Sequence, residues 1–241
     1  MKAKARSIEQ IIEEQVRRWQ TTRTEEKKKV ERISVITISR EAGSERISVI
    51  TISREAGSGG NILAKRLSDQ LEFDLFYQEF IHKMAESAHV SVRLLETLDE
   101  KGASVLEEWI SSLVDKRHLW PDRYLQHLMK IICTIGKHGR AVIVGRGANF
   151  VLPPEKRLSV RVIAHQETRL RNVSQEFSVS VDEARTRVLK TESDRKAFIK
   201  KYFNDDIRHP LNYDLIINTG TLSIDDAVNA VSGALSQLNR A

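Results

Sequence analysis

The sequence has little of what marks secreted, membrane-spanning or zinc-binding proteins. Only one of its 241 residues is a cysteine, so no disulfide can form within the chain. Cys133 falls in the apolar pattern of a predicted helix, which is typical of a buried thiol. No apolar run reaches the roughly 18 residues that cross a membrane, and no signal-peptide pattern is present. The seven histidines lack metal-ligand spacing. We therefore expect a cytoplasmic protein with no membrane partner and no structural zinc.

The charge of the chain is concentrated near its start. The net charge is +6, and residues 1–30 carry nine Lys or Arg against five Glu, which leaves the rest close to balance. We therefore do not expect nucleic acid to be the main partner. One face of a predicted helix in this leader is apolar, and we expect it to pack on the domain or on a second subunit, which would make a homo-oligomer; a nucleic-acid or membrane-surface arm is the alternative. Its apolar residues are Ile8, Ile11, Ile12, Val16 and Trp19.

A tandem duplication of 14 residues lies next in the chain. The segment Glu31–Ser44 recurs letter for letter as Glu45–Ser58, and only the second copy continues into Gly59 and Gly60. If the first copy formed the central strand, Glu45 would stand where Gly59 is needed for close backbone approach. We therefore expect the second copy to form the strand, and the first copy to become an edge strand, a hairpin, a helix extension or an exposed loop.

Short apolar runs alternate with helical patterns through the rest of the chain, as expected for a parallel sheet covered by helices on both faces. The apolar strand runs are Ile47–Ser53, Ala141–Val144, Leu158–Ala164 and Leu215–Asn218. The helical patterns are Phe80–Ala88, Val92–Leu98, Val105–Val114, Tyr124–Lys137, Gln166–Gln175, Val181–Asn204 and Ser223–Leu238. Ligands in such sheets bind at the carboxyl ends of the strands, where Arg54–Gly60 and Gly145–Gly147 both fall.

Residues Ile47–Leu71 read as strand, glycine-rich loop and helix, which is how a backbone builds a phosphate cradle. The full pattern for such a loop is G-x-x-x-x-G-K-[ST], with a lysine on the outer phosphates and a hydroxyl on magnesium. This chain departs from it: Arg54 stands at the first glycine, Gly60 at the lysine and Asn61 at the Ser/Thr. A glycine-rich turn can also serve packing alone, so the loop by itself leaves phosphate binding open.

An ordered set of segments extends this observation to most of the chain. The segments are ITISREAGSGGNILAKRL, LFYQEFI, AVIVGRGANFVL, RVIAHQETRLRNV, ESDRKAFIKKYF and YDLIINTGTLSIDDAV. Together they resemble the cytidylate kinase-like family, relatives of the bacterial cytidylate kinases among P-loop nucleoside monophosphate kinases. The resemblance implies an α/β, three-layer P-loop kinase fold with a five-stranded parallel sheet. It also implies transfer of the γ-phosphate of ATP, with Mg²⁺, to CMP or dCMP.

The resemblance assigns roles to particular residues. The donor phosphates would lie against the backbone of Ala56, Gly57, Ser58, Gly59, Gly60 and Asn61. Arg146 would grip the acceptor, while Arg195 and Arg187 would close over the phosphates. A surface pair of Arg187 with Glu183 or Glu192 is the alternative for that residue. Gly147 stands where the family motif has an aspartate, which puts pyrimidine recognition in question.

The resemblance also divides the chain. Residues 1–30 would form a helix and linker before a kinase-like domain at 31–241, in which 31–44 is the extra copy, 79–138 the helical acceptor region and 176–204 the lid. The partners would be a nucleoside triphosphate and a nucleoside monophosphate. Because the loop lysine is missing, Arg54, Lys65 or a lid arginine would have to replace its charge. A nucleotide-binding module without turnover, or a kinase of another small molecule, is the alternative function.

Overall fold

The fold is taken from a computed structural model, which describes residues 10–21, 47–119 and 121–240. The first duplicated copy, 31–44, lies outside these residues. The second copy supplies β1, Val49–Arg54, which is the middle strand of the sheet.

The sheet has five strands in the order β2-β3-β1-β4-β5, and every neighbouring pair is parallel. Branched apolar residues dominate the central strands, as expected where both faces are buried. This confirms the predicted three-layer α/β fold. Besides β1, the strands are β2 at Asp74–Phe76, β3 at Ala141–Val144, β4 at Arg157–Ile163 and β5 at Leu215–Asn218.

One face of the sheet is covered by the predicted helical region. Its helices are α3 at Gln78–Glu86, α4 at Ala88–Leu95, α5 at Glu100–Arg117 and α6 at Arg123–His138. The short α7 at Ala148–Val151 follows β3 and packs in the same apolar cluster. Helix α6 lies at the centre of this layer, and Leu128, Ile131 and Ile132 are fully buried in the larger apolar cluster. Burial also raises the pKa of the Cys133 thiol to about 12, as expected for an inert core cysteine.

Helix α1, residues 10–21, packs against this same layer. Ile12, Val16 and Trp19 are buried in the larger apolar cluster, and Gln15 donates a 2.7 Å hydrogen bond to Asp74 of β2. The described part of the leader helix therefore docks on its own domain, which is one of the two packings the sequence left open. No helix in the described ranges is long and apolar enough to span a membrane. Homo-oligomer formation stays a prediction.

The other face of the sheet carries α2 at Gly60–Leu71 and α10 at Ile224–Leu238, and these helices form a second apolar cluster with the strands. Helices α8 at Gln166–Phe177 and α9 at Val181–Phe203 lie at the carboxyl ends of the strands. They share a small cluster of their own that includes Ala56 of the glycine loop. The lid pair is therefore packed directly on the loop.

Candidate functional site

The glycine-rich loop joins the end of β1 to the start of α2. Gly57 and Gly59 have φ of 78° and 75°, a conformation that favours glycine. A Cβ at Gly57 would lie 2.4 Å from the carbonyl oxygen of Arg169, so glycine is also required for the close contact with α8. Asn172 of α8 donates a 2.8 Å hydrogen bond to the Gly57 carbonyl, and Thr219 donates one of 2.6 Å to the Ser58 carbonyl. These contacts fix the loop from two sides.

Four of the six backbone amides predicted to hold phosphate remain available. The amides of Gly57, Gly59, Gly60 and Asn61 have no hydrogen-bond acceptor within the described ranges. Helix α2 also has no side-chain cap at its N-terminus, whereas α5, α6, α9 and α10 are each capped by an Asp or Ser side chain. Free N–H groups at the positive end of a helix are what an anion binds.

The other two loop amides are engaged within the protein, which corrects the expectation that all six face phosphate. The Ser58 amide donates to the Glu55 carbonyl at 3.3 Å. The Ala56 amide donates to a carboxylate oxygen of Glu192 on α9 at 2.9 Å. That carboxylate also accepts a hydrogen bond from Arg169 at 3.0 Å. The Glu192 carboxylate of the lid helix α9 thus accepts the hydrogen bond of the first loop amide.

A cavity of about 780 Å³, here called the loop cavity, opens along the outside of this loop. It is lined by the whole stretch from Arg54 to Ile62, by Arg171 and Asn172 of α8, and by residues near the start of α10. The residues that carry the free amides therefore line a space within the size range of ligand sites, roughly 300–1,000 Å³.

A second cavity of about 340 Å³, here called the sheet-edge cavity, lies where β1 and β3 end beneath α9. Arg146 enters it from the turn after β3, and Asp194 and Phe198 enter it from α9. The Arg146 guanidinium lies 5.1 Å above the Phe198 ring and donates a 3.4 Å hydrogen bond to the Gln78 carbonyl. This is the position that a parallel sheet gives to its ligands.

Arg54, Arg146 and Arg195 converge at the sheet-edge cavity, and none of them forms an ion pair with a carboxylate in residues 10–21, 47–119 or 121–240. Burial, with the nearby Arg195 charge, lowers the pKa of Arg54 to about 9. Burial likewise lowers the pKa of Arg195, and its Nε has no hydrogen-bond partner in the described part of the chain. Buried cations without carboxylate partners indicate an anion-binding site.

Arg54 and Arg195 line both the loop cavity and the sheet-edge cavity. Arg195 reaches across from α9 and donates a 2.9 Å hydrogen bond to the Arg54 carbonyl. The two cavities therefore adjoin at these two arginines. A group bound to the loop amides and a group bound beside Arg146 would meet there.

Arg187 does not join Arg146 and Arg195, although the sequence analysis grouped the three. It lies on the exposed side of α9, pairs with Glu183 at 2.8 Å and stacks on Phe177. It lines neither cavity. The ion pair left open as the alternative is the arrangement found. Arg187 lies about two turns before Arg195 on α9, outside the stretch of this helix that lines the sheet-edge cavity, which begins at Thr191.

The turn after β3 leaves no room for an acidic side chain at position 147. Gly145, Arg146 and Gly147 all have positive φ, of 79°, 55° and 69°. A Cβ at Gly147 would lie 2.2 Å from a ring carbon of Phe203 on α9. The aspartate of the related motif is therefore excluded here by the packing of the lid helix. Left-handed backbone at a non-glycine residue such as Arg146 is typical of functional sites.

The described residues contain no group of three His, Cys, Asp or Glu side chains placed to hold a metal ion. The Ser58 hydroxyl donates to backbone carbonyls and is buried. Magnesium is commonly held by one or two carboxylates together with substrate phosphates. The residues fit an arrangement in which substrate phosphates supply most of the magnesium ligands, and Asp194 is a carboxylate that lines the sheet-edge cavity.

Comparison with known proteins agrees with this geometry. The sequence profile of the cytidylate kinase-like family matches residues 49–221, which is most of the chain. The chain belongs to the cytidylate kinase-like family. The matched residues include the loop, the lid helices and the residues that line the two cavities except Ile224, and they begin at β1 of the second duplicated copy.

The individual relatives found for this chain are distant in sequence. A protein named cytidylate kinase from Methanocaldococcus jannaschii is 28% identical over 111 residues, which cover 44% of this chain and 61% of that relative's length. The crystal structure of an uncharacterized protein from Eubacterium ventriosum has a TM-score of 0.59 at 20% identity, and the match covers 78% of this chain and 98% of that one. The structural match supports the fold.

Two residues that contact the loop are not predicted from the sequence as part of the site. Glu192 and Asn172 contact the loop from α9 and α8, more than 100 residues along the chain. Both look like ordinary polar positions on helices, so no local pattern marks them. Arg54 is one of the substitutes that the sequence offers for the missing lysine, beside Lys65 and the lid arginines, but the sequence does not place it among the site residues.

Proposed function

We propose that this protein is an ATP-dependent kinase of the nucleoside monophosphate type, with CMP or dCMP as the first acceptors to test. The observation that carries the proposal is the junction of two cavities at Arg54 and Arg195. One cavity offers free loop amides for a polyphosphate, and the other offers Arg146 for an acceptor phosphate. Membership of the cytidylate kinase-like family and the name of the archaeal relative support the choice of acceptor.

The reaction needs little covalent help from the protein. The bond between the γ-phosphorus and the bridging oxygen of ATP breaks, a bond to an acceptor phosphate oxygen forms, and ADP leaves. Alignment of the two phosphates and neutralisation of the spreading negative charge supply most of the rate. Arg146 and Arg195 suit this task because their planar guanidinium groups bind phosphate through two parallel hydrogen bonds. Mg²⁺ would be held chiefly by the ATP phosphates, with Asp194 as the protein carboxylate within the cavity.

A nucleotide-binding module without turnover is a second candidate, and one observation favours it. The Glu192 carboxylate accepts the hydrogen bond of the Ala56 amide, a donor that would otherwise be available to an anionic ligand. If this contact persists with nucleotide present, ATP would bind through the remaining amides without the full cradle.

A kinase of another small molecule is a third candidate. Phe203 fills the space beside Gly147, so the acid that the related motif provides for the pyrimidine is missing. Gln78 lies in the sheet-edge cavity and could read a different acceptor through its amide.

A panel of acceptors separates the three candidates. The protein is incubated with ATP, Mg²⁺ and CMP, dCMP, UMP, AMP, a set of non-nucleotide hydroxy compounds or no acceptor; ADP is measured, and ATP binding is followed by calorimetry. ADP formation that depends on a pyrimidine nucleotide supports the proposed function. Tight ATP binding without ADP supports the binding module, and ADP formed only with a non-nucleotide acceptor supports the third candidate. Arg187→Gln serves as a matched control for Arg195→Gln, because both arginines lie on α9 but only Arg195 lines the cavities.

A further inference from the structure

The side chains at two positions of the loop are reversed relative to the G-x-x-x-x-G-K-[ST] pattern. In that pattern the first position has no side chain and the lysine position carries the cation. Here Arg54 stands at the first position and Gly60 at the lysine position. A Cβ added at Gly60 would lie 2.5 Å from the Cβ and 3.0 Å from the Cγ of Arg54. The two positions therefore compete for one space, and only one of them can carry a side chain.

The Arg54 guanidinium is placed between the two cavities. Its Nε donates a 3.1 Å hydrogen bond to the Asn61 side chain at the start of α2. Its Nη1 lies beside Gly145, at 2.6 Å from the point where a Cβ of that glycine would stand. The residue is 5% exposed and lines both cavities. Its charge is thus held under the loop, at the place where the cavities join.

Lys65, the other nearby cation, is not placed to act in this way. It points to the surface from α2, pairs with Asp69, and has a side chain that is 58% exposed. It lines neither cavity.

We propose that Arg54 supplies the cationic contact to the transferred phosphoryl group that a lysine supplies in the standard loop, and that residue 60 is glycine because Arg54 occupies its space. This inference rests on the proposed kinase function. Arg54 and Gly60 act as an exchanged pair: the charge enters the site from the end of the strand instead of from the first turn of the helix. The guanidinium donates hydrogen bonds to phosphoryl oxygens and forms no covalent bond.

The exchange is tested with four proteins: the wild type, Arg54→Met, Gly60→Lys and the double variant Arg54→Gly with Gly60→Lys, which restores the standard pattern. Loss of one such contact commonly costs about 10²–10³ in kcat. We expect that loss in Arg54→Met, a comparable loss in Gly60→Lys because of the steric clash, and at least tenfold recovery in the double variant relative to either single one. Lys65→Met is the matched control and should stay within about threefold of the wild type.

Calorimetric binding of ATP and of adenosine separates this inference from the proposed function. If the wild type turns over no acceptor, the kinase proposal fails. Even then, Arg54→Met should lower the affinity for ATP at least tenfold and leave the affinity for adenosine unchanged. Circular dichroism confirms that each variant folds. If the double variant does not fold, Arg54→Lys decides: retention of ATP affinity supports the inference, and affinity equal to that of Arg54→Met contradicts it. Unchanged ATP affinity and turnover in Arg54→Met would overturn the inference.

Discussion

Replacing Arg54 with methionine should make the folded protein more stable while weakening its site. Burial lowers the pKa of this guanidinium to about 9, and Arg195 and Arg146 lower it further than Glu79 and Tyr77 raise it. At about 1.4 kcal/mol for each pH unit, the charged form carries a penalty of roughly 5 kcal/mol at neutral pH. Methionine removes this penalty but also the hydrogen bond to Asn61, worth about 1 kcal/mol. Apolar replacements of buried ion pairs are often neutral or stabilise by about 1–4 kcal/mol, and Arg54 has no carboxylate partner to lose among the described residues.

We therefore expect Arg54→Met to raise the free energy of unfolding by about 1–3 kcal/mol at pH 7, measured by urea denaturation followed by circular dichroism. The direction of the Arg54 pKa shift also predicts how the stability difference between wild type and variant depends on pH. Because the pKa of Arg54 is lower in the folded state, the unfolded state binds more protons above pH 9, so the wild type gains stability there relative to the variant. The difference between the two proteins should shrink as pH rises above 9.

Arg157→Met is the control for this prediction. Arg157 is also buried, and burial lowers its pKa, but it pairs with Asp214 at 3.3 Å and donates to the Leu152 carbonyl. Its replacement should destabilise the protein by more than about 1 kcal/mol, because the buried Leu152 carbonyl loses its hydrogen-bond donor and Asp214 loses its ion pair. A loss of stability in Arg54→Met as large as that in Arg157→Met would refute the view that the buried Arg54 charge destabilises the folded protein.

Three further predictions concern the loop, the lid and the acceptor pocket. Arg195→Gln should lower kcat/KM by at least about 10², whereas Arg187→Gln should change it less than about threefold; equal effects would remove Arg195 from the site. Gly147→Asp should lower the free energy of unfolding by about 2–4 kcal/mol in urea denaturation, through the clash with the lid helix and the positive φ, and a stable variant with improved CMP use would contradict this. Deletion of 31–44 should preserve ATP binding in calorimetry while Gly59→Glu abolishes it, and loss of binding in the deletion would count against the second copy as the functional one.

Much of the fold could be predicted because its signals are local. The run Ala141–Val144 coincides with β3, because a parallel strand buried on both faces is built from continuous apolar residues. The run Leu215–Asn218 coincides with the edge strand β5, where branched residues again mark the strand although only Ile217 is buried. Helix α6 was equally visible, since its apolar residues recur at helical spacing. Strand β2, at Asp74–Phe76, has only three residues, which is too short for any period to show. The fifth strand was therefore expected from the family resemblance alone.

The site could be predicted from the sequence only where its functional groups lie on consecutive residues. The glycines mark the loop, and an arginine between two glycines after β3 marks the acceptor side. The contact of Glu192 with Ala56 depends on how a helix more than 130 residues away approaches the loop. The reason for Gly60 is likewise spatial, because the neighbouring side chain that excludes a lysine is visible only once the strand and the helix are placed together.

The most direct test of the account is the binding of a bisubstrate analogue, adenosine and cytidine joined through five phosphates. If the loop cavity and the sheet-edge cavity meet at Arg54 and Arg195, one molecule can fill both, and its second half binds at a high effective concentration. The account predicts a Kd at least about 100-fold lower than that of ATP, with most of this gain lost in Arg195→Gln. An analogue that binds no more tightly than ATP, in the cytidine form and in the matching uridine and adenosine forms, would contradict it.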